Sequence, residues 1–179
     1  MSQTEPIHVS KIQSLFHEAF FETYRVELLS GTPEPFYRAA KTRDEINQIF
    51  SRSDFIRSAL HEIAHWCVAG SVRRKQDDYG YWYSPDGRDL QRQKEFEDGE
   101  AKPQAIEKAF CEVLEIPFQV SVDNLKLTDY DTSSFEKKVD EELKRLRREG
   151  FPKRAEQFLS KLQNVNNLSS KTVGSQHRL

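Results

Sequence analysis

With 179 residues, 36% of them hydrophobic and 11% aromatic, the chain can bury one substantial core, which excludes an unfolded polypeptide and makes one domain the default. Its 27 Lys and Arg against 29 Asp and Glu leave a net charge of -2, which gives no general electrostatic reason to bind nucleic acid or an anionic membrane. No basic leader precedes an apolar stretch and no apolar run is long enough to span a bilayer, so neither secretion nor membrane insertion is expected. Cys67 and Cys111 both lie within apolar helical patterns, which suits buried free thiols and a cytoplasmic protein better than a disulfide framework.

The apolar spacing of Ile12, Leu15, Phe16, Ala19, Phe20 and Tyr24 predicts an amphipathic helix over Val9 to Tyr24, with Ser10 as a plausible cap. Strand formers from Tyr24 to Leu29 predict a short strand, broken by the Gly31 and Pro33 loop. A second brief apolar segment, Ile46 to Phe50, fits an edge strand. From Asp54 onward, Phe55, Ile56, Ala59, Leu60, Ile63, Ala64, Cys67 and Val68 mark a helix, with Ser53 and Gly70 as its expected boundary residues.

Arg73 to Gly99 shows no apolar period and reads as a long, aromatic-rich loop. Pro103 suits the first turn of a second core helix carrying Ala105, Ile106, Ala109, Phe110, Val113 and Leu114. Phe118 to Val122 fits a short strand, and Ser133 to Arg148 and Pro152 to Leu162 read as charged helices separated by Gly150. The expected fold is therefore α+β, a mainly helical single domain over residues 1–164 with a small sheet, followed by a polar tail over 165–179 expected to be disordered.

The chemistry concentrates in His61-Glu62-Ile63-Ala64-His65. On a helix the two histidines are four positions apart, so their imidazoles leave one face a turn apart and can close on one metal ion. A two-histidine site needs a further ligand, and a carboxylate leaves positions open for water or substrate. Glu107 on the second core helix is the candidate, and Glu112 on the other margin of the same apolar stripe is the alternative. Two histidines and one carboxylate describe both a hydrolytic zinc site and the facial triad of a non-haem Fe(II) oxygenase. Glu62 separates the two readings: it is a general base in a hydrolase and can act on the metal ligands in an oxygenase.

The segment Ser58 to Gly70 (SALHEIAHWCVAG) resembles the elongation factor P hydroxylase family of bacteria, as do Gly31 to Ala40 (GTPEPFYRAA), Asp78 to Leu90 (DYGYWYSPDGRDL) and Pro103 to Cys111 (PQAIEKAFC). The blocks occur in the family's order and span the region from Phe16 to Phe118. The resemblance implies an Fe(II)-dependent, monooxygenase-type protein-lysine hydroxylase that uses molecular oxygen on translation elongation factor P carrying a β-lysyl-lysine. It implies His61, His65 and Glu107 as metal ligands, and a helix pair like that of the zincin metallopeptidases. No histidine-x-acid pattern in a strand context points to the 2-oxoglutarate oxygenase barrel.

The aromatic loop is compatible with a long cationic substrate, because Asp78, Tyr81, Trp82 and Asp86 offer carboxylates and ring faces, and Arg88 can pair with a carboxylate or touch a protein substrate. The same rings can equally cover the core, with Asp86 and Gly87 making a turn. Taken by itself, HEIAH favours a zinc metallopeptidase, since that motif most often serves peptide hydrolysis. A metal-clamped adaptor ranks below both, because structural zinc sites are usually closed and cysteine-rich.

Overall fold

A computed structural model describes residues 7–80, 88–122 and 130–174, with side chains through residue 165. The chain is α+β and mainly helical, and it forms two compact units, residues 1–80 and 81–179. Among the described residues, no helix is long and apolar enough to cross a membrane.

The first unit opens with α1 (Val9–Tyr24), which buries Ile12, Leu15, Phe16 and Phe20 along one stripe. Its N-cap is His8 rather than Ser10, and Arg25 ends it in the left-handed region. Three strands follow: β1 (Val26–Thr32), β2 (Phe36–Arg38) and β3 (Asn47–Arg52). Their order is β1-β3-β2, with β1 parallel and β2 antiparallel to β3. The segment expected at an edge is thus the central strand, and Ile49, fully buried, pairs with Leu28 on one side and Tyr37 on the other. Three-residue β2 supplies that second neighbour; its length is too short for an alternation signal.

The metal-motif helix α2 (Ile56–Val68) starts after Phe55, not Ser53, whose φ of 49° places it in the preceding turn. Ala59, Leu60, Ile63, Ala64, Trp66 and Cys67 are buried. Trp66 is the anchor, with its ring 5.4 Å from Phe16, 4.8 Å from Phe20 and 5.2 Å from Tyr24. Such tilted and edge-to-face pairs add to area burial. Trp66→Ala is expected to lower unfolding stability by about 3–5 kcal/mol, as large-to-small changes of a buried aromatic do, measurable by chemical denaturation.

In the second unit, α3 (Leu90–Val113) packs against α4 (Ser133–Glu149) and α5 (Lys153–Gly174). Phe110 meets Phe158 edge-on at 5.2 Å, and α4 contributes Phe135, Val139, Leu143 and Leu146 to the core. Lys108 to Asp140, Lys138 to Asp98 and Arg147 to Glu112 pair α3 with α4. Gly150, at φ 102°, ends α4 in a conformation that disfavours a side chain. Helix α5 runs on to Gly174, past the end expected at Leu162. Phe118 to Val122 forms no strand; its Ser121 and Val122 backbones bond to side chains of α3 instead.

The main departure from the expected elements is α3, which begins at Leu90, inside the expected loop. Its cap is Asp89, whose side chain accepts from the Arg92 N–H at 2.9 Å. Pro103 therefore lies in the helix interior rather than in its first turn. No apolar period marks this part of the helix because its buried stripe is polar. Gln93, Glu97, Glu100, Gln104 and Glu107 follow one another at alternating steps of four and three, and each is at most 3% exposed.

Candidate metal centre

The first unit places His61 and His65 on the half-buried side of α2, with Ile63 and Cys67 on the side that anchors the helix. The two Nε2 atoms lie 3.1 Å apart and the ring centroids 4.6 Å apart, at an interplanar angle of 70°. Two imidazole nitrogens at about 2.1 Å from one ion are separated by about 3.0 Å at an octahedral angle and about 3.4 Å at a tetrahedral one. The observed spacing therefore fits two nitrogens converging on one cation. Glu62, half-buried between them in sequence, belongs to the same helix.

Beyond α2 the chain makes two short 3₁₀ turns, Arg73–Lys75 and Asp77–Gly80. Asp78 and Tyr79 have φ of 46° and 57°, uncommon for residues other than glycine. Side-chain bonds to β2 and the residues after it offset this strain. Asp78 Oδ1 accepts from the Tyr37 N–H at 2.9 Å, and Asp77 Oδ1 accepts from the Ala39 N–H and the Lys41 ammonium, each at 2.9 Å. The Lys41 bond holds the Asp77 carboxyl below its ordinary range, while burial pushes the Asp78 carboxyl up. Asp78 is thus engaged with the backbone of β2. Tyr81, Trp82 and Asp86, the other expected substrate contacts of this loop, lie outside the described residues.

This turn also carries a tyrosine of the aromatic-rich segment. Tyr79 stacks on Tyr37 with centroids 4.3 Å apart, and its hydroxyl is buried without a hydrogen-bond partner. Burial is the main cause that raises its pKa well above the ordinary tyrosine value, and the next is the negative charge of Glu62. An unpartnered buried hydroxyl costs about 1–3 kcal/mol. Tyr79→Phe retains the stacked ring, so a stability gain of that order is expected in thermal denaturation.

Buried carboxylates lie in the second unit. Glu97, Glu100 and Glu107 are 2%, 3% and 1% exposed, although charged residues are rarely buried to this degree without a compensating partner. Gln104 bridges the stripe to the chain after α3: its Nε2 donates to the Ser121 carbonyl at 2.7 Å, and its Oε1 accepts from the Ser121 N–H at 2.9 Å. Its Nε2 also lies 3.4 Å from Glu100 Oε2. Glu112, the alternative third ligand from the sequence, is paired with Arg147 of α4. Arg88 is 9% exposed; it donates to Gln93 Oε1 and the Val122 carbonyl and lies 4.0 Å from the Phe96 ring centroid. These three contacts lie within this unit. The 4-3-4-3 spacing of Gln and Glu behind the Asp89 cap was the available signal for this stripe; a search for apolar periodicity passes over it.

Two comparisons bear on this chemistry. The family model described as elongation factor P hydroxylase matches residues 15–175. The elongation factor P lysine hydroxylase of Haemophilus influenzae is 44% identical over 145 residues, a stretch covering 81% of this chain and 82% of that protein. With a histidine pair spaced for one cation in the first unit and buried carboxylates in the second, both lying within the matched region, the chain belongs to the elongation factor P hydroxylase family.

Proposed function

We propose that this protein is a metal-dependent hydroxylase acting on a lysine side chain of translation elongation factor P, with its two units working as one catalytic domain in the cytoplasm. The observation that carries the reading is the 3.1 Å spacing of the His61 and His65 Nε2 atoms on a helix of a chain belonging to this family.

His61 and His65 supply two neutral nitrogen ligands, and Glu100 is our choice for the third. In its support, Glu100 is a carboxylate of the type that completes such a set, buried on α3 and held by the Gln104 amide. Glu107, the ligand implied by the family resemblance, is buried on the same stripe seven positions further along α3. A set of two nitrogens and one carboxylate suits Fe(II) with open positions, although other first-row divalent ions can occupy such a site. Iron, when bound, supplies the activation of molecular oxygen. The chain's own residues fix the ligand geometry: Trp66 locks α2 against α1, and Gln104 ties Glu100 to the backbone at Ser121. We assign Glu62 the role of orienting or exchanging protons beside the histidines, and take the preferred substrate to be the lysine already extended by a β-lysyl group.

The test is intact mass of β-lysylated elongation factor P after incubation with the Fe(II)-loaded protein and oxygen. A gain of one oxygen atom supports the reading. Peptide cleavage under Zn(II), with no mass gain, would favour the metallopeptidase alternative.

A further inference from the structure

Within the buried stripe of α3, Glu97 stands apart. It is 2% exposed, and its Oε1 is buried with no hydrogen-bond partner. Among the described residues, no lysine, arginine or histidine forms an ion pair with it. A buried carboxylate without a countercharge is costly, and the arrival of a cation removes much of that cost.

The Tyr130 hydroxyl is hydrogen-bonded to Glu97. That bond is the main cause pushing the phenol up to about 12, so it remains a protonated donor at neutral pH. A rigid phenol on the carboxylate restricts its rotation. Tyr130 is itself half-buried, so the pair lies near the margin of the unit.

Glu100 follows Glu97 by three positions, and residues with this spacing stand about 5–6 Å apart between their Cβ atoms on a helix. The stripe thus presents an orphaned carboxylate oxygen one turn from a carboxylate proposed to bind metal. A lysine-type side chain offers an ammonium group a few bonds from its methylene carbons.

We propose that Glu97 binds the ammonium of the target side chain and so positions its C–H bond for hydroxylation. This rests on the function proposed above and adds a specificity-determining residue to it. In this arrangement Glu97 contacts the substrate's nitrogen, and Tyr130 is a positioning residue that orients Glu97.

The experiment is a double-mutant cycle read by calorimetric binding. Anaerobic Fe(II)-loaded wild type and Glu97→Gln are each titrated with β-lysylated elongation factor P, and with elongation factor P whose target lysine is replaced by methionine. A charge-assisted contact predicts that Glu97→Gln weakens binding of the β-lysylated protein about 10- to 100-fold. Both enzymes should bind the methionine protein equally, and the melting temperature of Glu97→Gln should be no lower than that of wild type. Tyr130→Phe, which keeps the carboxylate and frees its orientation, should show a smaller loss in the same direction, and it serves if Glu97→Gln does not fold. Equal binding of the β-lysylated protein by wild type and Glu97→Gln overturns the inference, as does a loss of the same size for both ligands. If wild type fails to distinguish the two ligands, the functional reading fails as well.

Discussion

Replacing His61 by alanine is expected to abolish the gain of one oxygen atom by β-lysylated elongation factor P, while the circular dichroism and melting temperature stay near those of the parent. The side chain is half-buried on the face of α2 away from Trp66, Ile63 and Cys67, so its removal leaves the helix anchor intact. What is lost is one of two nitrogens set 3.1 Å apart. A lone imidazole lacks the chelate, and metal-supported catalysis is worth several kcal/mol, or about 10³-fold or more in rate. Iron content after desalting should fall together with the mass gain. Full activity in His61→Ala would remove the metal centre from α2.

The second large effect separates two glutamates on one helix face. Glu100→Gln keeps the size and hydrogen-bonding reach of the side chain but removes its charge, and should weaken metal binding by about 100-fold or more. Changing a residue outside the ligand set costs about 10- to 100-fold in comparable sites. Glu107→Gln should have a much smaller effect. Seven helical positions correspond to about 10.5 Å along the axis, so Glu100 and Glu107 stand two turns apart and are not interchangeable. Competition with a chromophoric chelator measures both affinities. Equal affinity in Glu100→Gln and parent, with a large loss in Glu107→Gln, would transfer the third position to Glu107, the residue implied by the family resemblance. The outcome also bears on Glu97, which stands one helical turn from Glu100.

Local patterning made several elements legible. Helix α1 spans the predicted Val9–Tyr24, and α2 and α4 fall within a residue or two of expectation, because each buries an apolar stripe at helical spacing. The histidine pair was legible for the same reason: four positions on a helix is one turn, so HEIAH carries its own geometry once the helix is known. The start of α3 was not, because polar Gln93, Glu97, Glu100, Gln104 and Glu107 occupy positions where an apolar stripe announces burial. Pro103, a common first-turn residue, then suggested the wrong boundary.

By itself, the amino-acid sequence determined that α2 carries two imidazoles on one face, that the family's blocks surround it, and that hydrophobic cores form beneath α1, α2 and α4. Only the tertiary structure decided that β3 is central, since strand order depends on pairing between distant segments. Tertiary structure also decided that Asp77 and Asp78 bond to the backbone around β2, that Tyr79 is buried with an unpartnered hydroxyl, and that a row of α3 carboxylates is buried. Local propensity is set by neighbours within a turn or two, whereas burial of a polar group is set by whatever packs over it from elsewhere in the chain.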